Sequence, residues 1–125
     1  MTRILLVEDS KNLNRAFTMR LEHSGYAVIT ASHVEEAFAK ALESPPKAAI
    51  VDVCLPGGNG FELTSRLRER LAIEVVLATA NRDPSLNQRA HECGAFALLS
   101  KPFDASLLLA TVADAIANAN DSALA

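Results

Sequence analysis

Short, nearly continuous apolar runs recur five times along the chain, at residues 4–7, 27–30, 48–53, 75–79 and 96–99. A strand with one face in water alternates apolar and polar positions, whereas an unbroken apolar run fits a strand covered on both faces. Between the runs, apolar residues return every three or four positions. The clearest stripe is Val34, Ala37, Phe38, Ala41 and Leu42, which share one face of a helix. Leu13, Phe17 and Leu21 form an earlier stripe, Leu63 and Leu67 a middle one, and Leu86, Ala90 and Cys93 a later one. Leu108, Val112, Ala115 and Ile116 close the series.

Punctuation residues agree with this division. Ser32 and Glu35 have the spacing of a capping box before the second helix. Asp83-Pro84 places a cap before a proline at a helix start. Gly25 and Gly94 follow the first and fourth stripes, where the residue after a helix must tolerate positive φ. Five βα units in strict alternation predict an α/β domain with a parallel sheet sandwiched by helices. The expected domain spans residues 1–118, with 119–125 a C-terminal tail or the start of a linker.

Composition narrows the class. Half of the 125 residues are hydrophobic and 22% are charged, which excludes a disordered chain. The longest stretch without Asp, Glu, Lys or Arg is the twelve residues 23–34, short of the roughly 20 that a spanning helix needs. The net charge is −3 and no Lys/Arg cluster stands out, which argues against direct nucleic-acid binding by this domain. The N-terminal apolar run stops at Glu8 and Asp9, so it does not read as a signal peptide. Cys54 and Cys93 form no CxxC pair, and His23, His33 and His91 have no metal-site spacing. A cytoplasmic domain with free thiols and no membrane association is expected.

In an open parallel α/β sheet, ligands bind beyond the carboxyl ends of the strands. Those ends carry Glu8-Asp9, Asp52, Thr79 and Ser100-Lys101-Pro102. Three neighbouring carboxylates repel one another, and a hard divalent cation with oxygen ligands resolves the conflict. A lysine and a threonine beside such an ion suit a phosphoryl group. A carboxylate in the middle of the site is a candidate nucleophile, giving an aspartyl phosphate.

The residues I4-L-L-V-E-D-S10, V51-D-V-C-L-P-G-G-N-G-F-E-L63, A78-T-A80 and K101-P-F103, in that order, resemble a bacterial response-regulator receiver domain of the CheY type. The resemblance implies a doubly wound, flavodoxin-like (βα)5 fold with strand order 2-1-3-4-5. It implies phosphorylation of Asp52 by a sensor histidine kinase or a histidine phosphotransfer protein. Mg²⁺ (or Mn²⁺) would be held by Asp9, Asp52 and the backbone carbonyl of Cys54, with Glu8 acting through a water. Lys101 and Thr79, with Ala80 beside it, would bind the phosphoryl oxygens, and Lys101-Pro102 would be a cis peptide. Cys54 and Asn81 would flank the attacking water and tune dephosphorylation. Leu98 occupies the position where that family usually carries a switch aromatic. The chain would be a signalling domain rather than an enzyme, with its fourth helix, fifth strand and fifth helix as the output face and a homodimer surface.

Other readings fit less well. A phosphatase of the haloacid-dehalogenase type needs an acid two residues after its nucleophile, and that position is Cys54. A flavodoxin relative needs a Ser/Thr-rich loop where Glu8-Asp9-Ser10 stands. A degenerate receiver serving as a scaffold would not need Asp52, Thr79 and Lys101 together. Gly57, Gly58 and Gly60 lack phosphate-loop spacing and read as a flexible turn. Met19 is expected to be exposed, in a helix that the resemblance places against the kinase. Leu109, Ala113 and Ala117 are expected to form a contact patch.

Overall fold

The computed structural model describes the backbone of residues 1–124 and the side chains of residues 1–120. Strands β1 (Arg3–Val7), β2 (Ala27–Ala31), β3 (Ala48–Asp52), β4 (Glu74–Thr79) and β5 (Ala97–Ser100) alternate with helices. The helices are α1 (Lys11–His23), α2 (Val34–Glu43), α3 (Gly60–Arg70), α4 (Ser85–Glu92) and α5 (Ala105–Leu124). All strand pairs of the main sheet are parallel, in the order β2-β1-β3-β4-β5. A two-residue antiparallel ladder, Cys54–Leu55 with Gly58–Asn59, links β3 to α3.

Alternation along each strand builds two cores from one sheet. Leu5, Val7, Ala49, Val51, Val75 and Leu77 face α2, α3 and α4, where Val34, Ala37, Leu63, Leu67 and Leu86 are buried. Ile4, Leu6, Ala48, Ile50 and Val76 face the other way and meet Leu21 of α1 and Leu108, Val112 and Ala115 of α5. This explains the unbroken apolar runs, since both faces of the central strands are dry. Leu5, Leu6, Leu77 and Leu108 have 1% or less of their surface exposed. Each such side chain contributes roughly 1.5–3 kcal/mol by burial.

The helix ends follow the expected chemistry, with corrections. Gly25 and Gly94 take φ of 96° and 83°, closing α1 and α4. The cap of α2 falls one residue later than the Ser32/Glu35 spacing suggests. His33 accepts the amide of Glu36 through Nδ1 at 3.3 Å, while the Glu36 carboxylate accepts the Ser32 amide at 2.8 Å. Strand β2 runs on to Ala31, which delays the helix, and Glu35 turns outward to pair with Arg66. Asp83 accepts the amide of Ser85, although Pro84 rather than Asp83 occupies the cap position of α4.

Met19 is 63% exposed, as expected. Leu109 instead packs into the α1/α5 core, and the exposed leucine of that triplet is Leu107. Helix α5 runs to Leu124, and Ala125 lies outside the described residues. No helix among the described residues is long and apolar enough to cross a membrane.

Candidate functional site

Parallel register sets the rim. Val7 pairs with Val51, Asp52 with Ala78, and Thr79 with Ser100, so the residues that follow emerge side by side at the carboxyl edge. The Glu8 amide donates to the Ala31 carbonyl at 3.1 Å, continuing the β1 ladder by one residue. Consecutive residues of an extended chain point opposite ways. Glu8 is accordingly buried, whereas Asp9 is exposed. Ser10 then caps α1 by accepting the Leu13 amide.

Asp52 ends β3 with 9% of its surface exposed. Its Oδ1 accepts the Cys54 amide at 3.1 Å, and its Oδ2 accepts Lys101 Nζ at 3.1 Å. The same ammonium donates to Glu8 Oε1 at 2.6 Å. Lys101 is positioned by its own backbone, whose amide donates to the Thr79 carbonyl at 2.7 Å, and the Lys101-Pro102 peptide is cis. Thr79 is buried, and its hydroxyl accepts the Asn81 amide at 3.0 Å.

Burial and charge oppose each other across this cluster. Burial is the largest influence on Glu8 and lifts its pKa above 4.5; the Lys101 hydrogen bond works against the rise, and the charge of Asp52 adds to it. Burial would lower the Lys101 pKa, but hydrogen bonds to Glu8 and Asp52 outweigh it and hold the ammonium above 10.5. Two acids, Glu8 and Asp52, thus share one lysine.

A carboxylate oxygen from each of Glu8, Asp9 and Asp52 lies within 4.8 Å of the others. All three donors are carboxylate oxygens gathered at one point of the rim, the donor type that a hard divalent cation takes. The arrangement places the Asp52 carboxylate at the end of β3, in contact with one ammonium and beside two further acids.

Sequence-selected residues Glu8, Asp9, Asp52, Thr79 and Lys101 therefore converge on one rim. Cys54, Ala80 and Asn81 are exposed along its border. Leu98 is half-buried and packs with the α2–α4 core. Cys54 and Cys93 are free thiols.

The structure corrects the expectation that Gly57, Gly58 and Gly60 together form a flexible turn. Gly60 is a buried helical residue whose amide donates to the Val53 carbonyl at 2.7 Å. A Cβ there would lie 2.9 Å from Val53 Cα and closer still to the Asp52 carbonyl oxygen. The signal was present in N59-x-x-E62, because Asn59 caps α3 by accepting the Glu62 amide at 2.9 Å and so places Gly60 inside the helix. The guanidinium carbon of Arg89 lies 4.3 Å from the centroid of the Phe61 ring.

Comparison with known proteins bears on this geometry. The family model described as the response regulator receiver domain matches residues 4–113. The response regulator ArlR of Staphylococcus aureus is 34% identical over 112 residues, covering 90% of this chain and 51% of that protein. The transcriptional regulatory protein ResD of Bacillus subtilis is 32% identical over 102 residues, covering 82% and 42%. The chain thus spans about half the length of the curated relatives it matches. The solved structure of the Vibrio cholerae chemotaxis protein CheY4 superposes with a TM-score of 0.86 at 30% identity, covering 92% of this chain and 98% of that one. Fold, rim and similarity agree: the chain belongs to the response regulator receiver domains of two-component systems.

Proposed function

We propose that this receiver accepts a phosphoryl group on Asp52 from the phosphohistidine of a sensor kinase or phosphotransfer protein, in the cytoplasm, over a domain of residues 1–118. The observation that carries this reading is the Asp52 carboxylate held between Lys101 Nζ at 3.1 Å and the Cys54 amide at 3.1 Å. Those two contacts hold the carboxylate in one orientation, which favours attack by lowering the entropy of the encounter. Asp9, Asp52 and the Cys54 carbonyl would hold Mg²⁺ (or Mn²⁺), with Glu8 acting through a water. When bound, the ion neutralises charge on the acids and on the transferring group. Lys101 answers the phosphoryl oxygens with its remaining donors, and the Thr79 hydroxyl and the Ala80 amide do so from the neighbouring end of β4. Cys54 and Asn81 border the approach of water and set the lifetime of the aspartyl phosphate.

Switching then follows from the Thr79 hydroxyl. It now accepts the Asn81 amide. Turning inward releases that bond and carries loop 80–84 along. Leu98 is smaller than an aromatic ring and lacks a polar tip, so the motion of loop 80–84 and α4 conveys most of the signal to the α4/β5/α5 face. That face would serve the output or a second copy of the chain.

Incubation with acetyl phosphate tests the reading. Label should appear with Mg²⁺ and not with chelator, and Asp52→Asn should abolish it. Undiminished label on that variant would refute the assignment.

A further inference from the structure

A cleft of about 510 Å³ lies beside the acidic rim, between the ladder that follows β3 and the start of α4. Asp9, Cys54 and Thr79 of the rim line it together with Phe61, Leu86 and Arg89. Its lining therefore includes a cation, Arg89, that the proposed phosphotransfer chemistry leaves unused. Among the described residues Arg89 makes no ion pair and no side-chain hydrogen bond; its guanidinium lies against the buried Phe61 ring at 4.3 Å. Stacking engages the face of the guanidinium and leaves its edge donors free. A planar fork of N–H groups matches a carboxylate.

We propose that Arg89 and Phe61 form the subsite for the leaving group of a small acyl phosphate donor. This rests on Asp52 being the acceptor. In the transfer, an Asp52 carboxylate oxygen forms a bond to phosphorus. The bond between phosphorus and the bridging acyl oxygen breaks, and that oxygen keeps the electron pair and departs as a carboxylate. No proton and no redox partner is needed. Negative charge grows on the departing oxygens as the bond lengthens, and Arg89 in the lining of the cleft supplies the countercharge. A donor whose leaving group departs as neutral ammonia draws no such benefit.

The test compares acetyl phosphate with phosphoramidate on the full chain with Mg²⁺, reading initial rates of label on Asp52. Arg89 is exposed, so Arg89→Gln leaves the fold intact, and circular dichroism checks this. Arg89→Gln should lower the acetyl phosphate rate by about tenfold or more, as for loss of one charge-assisted hydrogen bond, and change the phosphoramidate rate less than about twofold. Arg89→Glu should lower the acetyl phosphate rate further. An unchanged acetyl phosphate rate, or equal losses with both donors, overturns the subsite while leaving Asp52 as acceptor. Failure of wild type to accept from either donor overturns both readings.

Discussion

Replacing Gly60 by alanine probes how closely the site is tied to the fold. The added Cβ would stand 2.9 Å from Val53 Cα, about 0.5 Å inside the 3.4 Å edge of ordinary contact, and closer still to the Asp52 carbonyl. Both obstacles are backbone, and the Gly60 amide is bound to Val53 at 2.7 Å, so neither side yields without moving the end of β3. Overpacking of this kind costs about 1–3 kcal/mol. For a domain of this size that lowers the melting temperature by roughly 4–12 °C. A misplacement of about 1 Å costs on the order of a hundredfold in rate, so a shift of half that should slow acetyl phosphate labelling of Asp52 about tenfold. Gly57→Ala is the control, because its Cβ meets nothing within 4 Å although its φ is +80°. That variant should lose about 1 kcal/mol of stability and label at the wild-type rate. Thermal melts and labelling time courses decide the matter. Equal behaviour of the two variants, or a Gly60→Ala protein that labels normally, would refute the reasoning.

Asp9→Asn should weaken Mg²⁺ binding more than Glu8→Gln, since a direct ligand is lost rather than one acting through water; calorimetric titration ranks them, and the reverse order contradicts the assignment. Lys101→Met should cost about 2 kcal/mol in urea denaturation at pH 7, less than for a fully buried pair because the rim opens to solvent. Glu8 is already held above its ordinary pKa, so the folded state binds more protons than the unfolded one just above pH 4.5 and stability falls as pH rises there. Without the lysine that fall should steepen, and a flat profile would contradict it. Beryllofluoride with Mg²⁺ should change hydrogen exchange across residues 80–93 in wild type and not in Thr79→Ala. Changes confined to the Asp52 rim would exclude the loop as carrier.

Fold and rim were legible because both rest on local periodicity. Unbroken apolar strands announce a sheet covered twice, and the residues just past each strand fall on one edge once parallel register is granted. Glu8, Asp9, Asp52, Thr79 and Lys101 could therefore be named from spacing. What stayed hidden depends on contacts between distant segments. Gly60 looks like turn chemistry until Asn59 is seen to cap a helix that brings it under Asp52. Arg89 is one exposed arginine of α4 until Phe61 of α3 is found beneath it. His33 displaced Ser32 as cap because β2 ran one residue longer than its apolar run suggested.

Peptide mapping after acetyl phosphate treatment in Mg²⁺ addresses the phosphoacceptor most directly. The expected result is one phosphoryl group, labile to hydroxylamine as an acyl phosphate is, on the peptide that contains Asp52, and none in the Asp52→Asn protein. A stable phosphate on Thr79 or Ser100, or label that survives Asp52→Asn, would contradict it.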